Sequence, residues 1–182
     1  MKKMLVGVII VFATFLIGCE GPTNEEVYYE IQKNFNSIDI YQCLVDIKIN
    51  ESEKSQTYKA EHTYKHENQY KIKMLSPDDS AGIITVYNGK QAWLYHPQIN
   101  QKKHIKEFKE SSSKNVFLAT FLENSLTSEY IDLSSEVIDN KEYIIITVEI
   151  PGNNKYRKTS KLWVGKDNLL PFKMNILDNN IF

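Results

Sequence analysis

Histidine and cysteine carry most of the reactive chemistry open to this chain, which has four of the first and two of the second. His62 and His66 stand four residues apart. On a helix that spacing would offer two imidazoles to one metal ion. Here Tyr58, Ala60, Tyr64 and Tyr70 alternate around them, which predicts a strand. At about 3.3 Å per residue the two rings share a face but lie about 13 Å apart, beyond the reach of one ion. Two solvated surface histidines are expected, and no metal site. His96 precedes Pro97 and His104 sits among lysines, neither with a recognisable partner. Asp78 and Asp79 are adjacent in a Pro-led turn, suited to capping or solvating it. A Gly-x-Ser-x-Gly elbow, a phosphate-binding loop and a glycine-rich dinucleotide turn are missing. Seven glycines leave little for a site built from closely approaching backbone. These residues predict a non-enzyme without a cofactor.

Cys19 is the residue whose surroundings prescribe a reaction. Lys2 and Lys3 give a positive start, and Leu5 to Gly18 is apolar or small without a charge. Such a run suits a secretory signal and is short for a bilayer span. It ends in Leu16-Ile17-Gly18-Cys19, a lipobox, where signal peptidase II cuts and the cysteine sulfur receives diacylglycerol. Two acyl chains hold firmly where one binds marginally. An ordinary cleaved signal, or an uncleaved anchor with an incidental cysteine, accounts for fewer of these features. The expected organisation is a signal peptide over 1–18, a lipidated cysteine and short tether over 19–23, and one domain over 24–182, on the outer face of a membrane. Cys43, left without a disulfide partner, alternates with Tyr41, Val45, Ile47 and Ile49 and is expected as a buried structural thiol.

Without residues 1–18 the chain keeps 164 residues, enough for one core, and a net charge of −3. Interspersed Lys and Glu give no nucleic-acid footprint. Arg157 is the sole arginine, which argues against bidentate recognition of an anion.

The elements follow from spacing. Thr23 to Glu26 reads as a capping box before Val27, Tyr28, Ile31 and Phe35, a helix ending near Asn36-Ser37. Period-two segments cover 40–50, 57–66, 69–75, 82–87 and 90–96, with turns at Glu67-Asn68 and Asn88-Gly89. Asp139-Asn140, Pro151 to Asn154 and Gly165 to Asn168 punctuate later strands. Val116, Phe117, Thr120, Phe121 and Asn124 describe a second helix within Ser113 to Leu126. The expected fold is mainly β with α: an open antiparallel sheet of roughly ten strands, with two helices covering its concave face.

Aromatic residues are the positive signal. Around Asn88-Gly89, Ile84, Val86, Trp93 and Tyr95 share one face, while Ile83, Tyr87, Ala92 and Leu94 share the other. A hairpin apolar on both faces needs cover on both, from helix, ligand or partner, or keeps a sticky patch. Tyr87, Trp93, Tyr95 and Trp163 are the candidate partner-binding or core aromatics.

Val86-Tyr87-Asn88-Gly89-Lys90 with Trp93-Leu94-Tyr95-His96-Pro97 resembles the central hairpin of the lipoprotein-sorting (LolA/LolB-like) superfamily. Leu162-Trp163-Val164, a turn and Leu170-Pro171-Phe172-Lys173-Met174 resemble the late hairpin of its Gram-positive sporulation branch. The resemblance spans most of residues 24–178 and implies an open β half-barrel plugged by helices. For short lipoproteins of the branch it implies a non-catalytic partner of a cell-wall N-acetylmuramoyl-L-alanine amidase (CwlD-like). Such a partner binds and activates the amidase so that muramic-δ-lactam forms in the spore cortex and germination can proceed, which implies the forespore intermembrane space. Strand exchange between two copies is a route to a homodimer. The soluble carriers place an arginine inside the barrel, which this chain lacks before Arg157, and an anchored carrier cannot shuttle. Two other functions stay open: a LolB-type receptor for a lipid or lipopeptide, and a regulator of a membrane signalling protein.

Overall fold

The computed structural model describes residues 21–51, 54–108, 117–151 and 158–178. Cys19 and the expected signal segment lie outside the described residues, as does the start of the expected second helix, 113–116. Helix α1, Asn24–Asn36, begins as the sequence predicts. The Thr23 side chain accepts from the Glu26 amide at 3.2 Å, and the Glu26 carboxylate accepts from the Thr23 amide at 2.8 Å. Two orphan amides are thereby satisfied. Val27, Ile31 and Phe35 recur at helical spacing and are the buried residues of the helix.

Six strands follow as an antiparallel meander: β1 (Ile40–Glu51), β2 (Lys54–Lys65), β3 (Gln69–Ser76), β4 (Ile84–Asn88), β5 (Ala92–His96) and β6 (Gln101–Ile105), in that spatial order. The β2–β3 turn puts Glu67 and Asn68 at φ 70 and 58, the left-handed region that asparagine tolerates better than most. The β4–β5 turn sits one residue later than Asn88-Gly89 suggests. Tyr87 pairs with Ala92, and the Asn88 side chain accepts from the Lys90 and Gln91 amides at 3.1 and 2.9 Å. Asn88 thus closes the turn from its strand, while Gly89, at φ 89, supplies the positive dihedral.

Helix α2 (Leu118–Thr127) crosses to a second antiparallel sheet: β7 (Ile131–Ile138), β8 (Lys141–Glu149), β9 (Lys158–Gly165) and β10 (Pro171–Asp178), ordered β10-β9-β8-β7. Asp139 and Asn140, at φ 49 and 60, form the two-residue turn between β7 and β8. Neither sheet closes into a barrel. The main core lies between this sheet and the helices. Val27, Ile31, Phe35 and Phe121 pack against Ile144, Ile146, Val148, Leu162 and Val164. Leu118, Leu122, Leu133 and Met174 border that cluster.

Two expectations about burial fail. His62 is 3 % exposed, buried instead of solvated, because α2 enters beside β2 and lays Phe117 on its ring. Of this pair only His66, in the turn, is exposed. Cys43 keeps its expected face but is half-buried, and partial burial pushes its thiol pKa up.

Candidate partner-binding surface

Register places every side chain of the six-stranded sheet on one of two faces. The inner face gathers rings. Tyr70, Tyr87 and Ala92 form a buried cluster bordered by Tyr64, Ile72, Ile105, Phe108 and Phe117. Tyr41 stacks on Tyr64 at 5.3 Å, Tyr70 meets Tyr87 at 5.2 Å, and Tyr87 meets Phe108 at 5.4 Å. His62 sits within this set, stacked on Phe117 at 4.5 Å and edge-on to Tyr41 at 5.4 Å. Its Nε2 has no hydrogen-bond partner among the described residues. Burial therefore pulls its pKa down to about 4, since charging the ring would cost desolvation with nothing to offset it.

The outer face carries the other apolar set. Ile84 is opposite Tyr95, and Val86 is opposite Trp93. On the next strand His104 lies opposite Trp93 and Lys102 opposite Tyr95. On the other side Lys71 is opposite Val86 and Lys73 opposite Ile84. A shallow groove of about 220 Å³ runs along Ile84, Val86, Trp93, Tyr95, Lys102 and His104. Trp93 is 39 % exposed and Val86 37 %, and among the described residues no helix covers this face. The imidazole of His104 lies flat on Trp93, 5.0 Å between centroids and 4° from parallel, and its Nε2 is 2.9 Å from Gln91 Oε1. Lys102 Nζ stands 5.9 Å from the Tyr95 ring centroid. His104 therefore has two partners that its sequence neighbours did not reveal. Strand register was the missing information, because Trp93 and Gln91 meet it only across the β5–β6 pair.

The four aromatic candidates separate accordingly. Trp93 and Tyr95 share the outer face. Tyr87, 7 % exposed, belongs to the inner cluster. Trp163, also 7 % exposed, lies on the β9 face turned away from the helices, because Leu162 and Val164 take the core side. It is covered locally. Its indole N–H donates to Glu136 Oε2 at 2.7 Å, and Lys173 Nζ sits 4.6 Å from its ring centroid. Asp78 and Asp79 are both exposed in their turn; the Asp79 carboxylate accepts from the neighbouring Ser80 hydroxyl at 2.9 Å, and Gln98 donates to the main-chain carbonyl of Asp78 at 2.7 Å. Among the described residues no group of three His, Cys, Asp or Glu could hold a metal, and no helix is long and apolar enough to cross a membrane.

Comparison with known proteins adds a family. The sporulation protein YdcC-like family matches residues 1–181. The chain belongs to that family. No curated protein matches it. Among solved structures, this family member is similar to the GerS lipoprotein of Clostridioides difficile, solved in complex with the CwlD amidase. Identity is 26 % over 90 % of this chain and 91 % of that one, with a TM-score of 0.47. It is also similar to a LolA superfamily protein from Nitrosomonas europaea, at 17 % identity over 87 % of this chain and 73 % of that one, with a TM-score of 0.42. A conserved protein from Thermus thermophilus shares the fold, at 14 % identity over 85 % of this chain and 77 % of that one, with a TM-score of 0.51.

Proposed function

We propose that this chain is a membrane-anchored, non-catalytic lipoprotein that binds and activates a CwlD-like cell-wall amidase during spore cortex modification. The carrying observation is the match of a sporulation family over residues 1–181. The lipobox ending in Cys19 supports the anchor, with Glu20 to Pro22 as a short tether holding the domain at the extracytoplasmic surface. The hairpin motifs around Asn88-Gly89 and Pro171 support the sporulation branch, and the GerS–CwlD complex supplies the partner to test first. Action by contact is consistent with a domain whose reactive side chains are dispersed. His62 is enclosed by rings, Cys43 is half-buried with a raised pKa, and Asp79 is engaged in its own turn.

A receptor holding an acyl chain would need room on the inner side of the six-stranded sheet. There Tyr41, His62, Tyr64, Tyr70, Tyr87 and Phe117 meet in stacked, edge-on and tilted ring contacts, which favours contact with a protein over uptake of a lipid. The test is calorimetric titration of the purified full chain with the amidase, followed by amidase turnover on cortex peptidoglycan with and without the chain. Saturable binding and a rise in turnover are expected. An amidase equally active alone would refute activation, and absent binding would refute the partnership. Globomycin treatment should block maturation of the wild type, and Cys19→Ala should abolish incorporation of labelled fatty acid and leave residues 1–18 uncleaved.

A further inference from the structure

The outer face of the β3–β6 segment carries an apolar row between two rows that hold lysine. Ile84, Val86, Trp93 and Tyr95 occupy the two middle strands, Lys71 and Lys73 face them from β3, and Lys102 and His104 face them from β6. The first carboxylate met in this register is Glu61, opposite Lys73 on β2, and its Oε1 already accepts from the Gln42 side-chain amide at 2.7 Å. A chain with a formal charge of only −1 thus concentrates lysine around its most exposed tryptophan.

The geometry points to this groove as the docking centre for an acidic protein surface, one that inserts an apolar side chain over Trp93 and sets carboxylates against Lys71, Lys73 and Lys102. The inference rests on the amidase reading and names the face and the chemistry that reading leaves open. Charge complementarity is the first argument. Three ammonium groups around an exposed aromatic centre favour a negative partner, steer its approach and reject a basic one. Order is the second. Trp93 is held flat by His104, so little rotamer freedom is lost when a partner settles on it, and tryptophan anchors of this kind dominate binding energy. Shape is the third. The apolar row forms a groove bordered on its β6 side by Lys102 and His104, which receives a side chain, whereas a membrane wedge must project. Four strands at about 4.8 Å spacing make a patch about 14 Å wide, the centre of an interface and not its whole area.

Four full-length forms in detergent would be titrated with the amidase: wild type, Trp93→Ala, Trp93→Phe and the double variant Lys71→Glu/Lys102→Glu. Melting curves and circular dichroism would confirm that each folds. Trp93→Ala should weaken binding about thirtyfold, with Trp93→Phe intermediate. The double variant should bind at least tenfold more weakly, mainly through a slower on-rate, and should lose most of the salt dependence of the wild type. Wild-type affinity retained by both Trp93→Ala and the double variant would overturn the face while leaving the amidase reading intact. No binding by the wild type would overturn the reading itself. Cys19→Ala chain with and without Trp93→Ala would also be mixed with phosphatidylglycerol vesicles, so that binding through the retained apolar segment 5–18 is common to both. Trp93-dependent vesicle binding, with amidase affinity unchanged in the variants, would reassign the groove to a membrane and overturn the proposal.

Discussion

The two sheets of this protein bury themselves with different side chains. Where α1 and α2 lie on β8 and β9, the contact is mostly aliphatic and closely packed, with Ile144, Ile146, Val148, Leu162 and Val164 almost wholly excluded from solvent. Among the described residues the six-stranded sheet receives the entry to α2 and the chain just beyond β6, and fills its inner face with tyrosines, His62, Phe108 and Phe117. A few large rings can span a face that no described helix fills, whereas short branched chains pack well against a dense neighbour. One sheet is therefore organised for stability. The other keeps a bare outer face, and that is where an aromatic groove and a lysine border stand available to a partner.

Deleting bulk from the helix-covered core should give the largest effect. Phe121→Ala, at a 1 % exposed position, is expected to cost about 3–5 kcal/mol in urea unfolding. A loss under about 1 kcal/mol would erase the distinction between the two regions. The aromatic side should instead show itself in its pH dependence. The folded pKa of His62 is depressed from 6.5 to about 4, so the fold favours the neutral ring and the unfolded chain takes up a proton first. Stability on this account is complete above pH 6.5 and is lost as the pH falls towards 4. Between pH 7 and pH 4.5 the wild type should lose about 2 kcal/mol more than His62→Phe, whose ring keeps the stack on Phe117 but cannot titrate. Equal acid sensitivity of the two would remove His62 from the account. At the start of α1, Thr23→Ala should cost about 1 kcal/mol and Thr23→Ser almost nothing, measured by thermal unfolding. Smallest of all, Leu44→Ser, at a residue 75 % exposed on the outer face, should stay within about 0.5 kcal/mol of wild type.

Elements set by neighbours in sequence were legible. The capping box at Thr23 and Glu26, the left-handed pair Asp139-Asn140 and the helical spacing of Val27, Ile31 and Phe35 all rest on contacts within a few residues. Both apolar faces of the β4–β5 hairpin were legible as well, because alternation is a local property. His62 shows where this stops. Its alternation with Ala60 and Tyr64 placed it on a strand, but burial came from Phe117, 55 residues later in the chain. Trp163 and His104 repeat the lesson, since Glu136, Lys173, Trp93 and Gln91 reach them only through strand pairing.

By itself the amino-acid order determined helix α1, the strands as far as β5, several points where the chain reverses, and that the Trp93 hairpin has two greasy sides, while β6 went unread among its lysines. Only the tertiary structure decided which side is covered. A period of two distinguishes the faces of a strand but treats them as equivalent. The equivalence is broken only when a distant helix or strand settles on one of them and leaves the other to water.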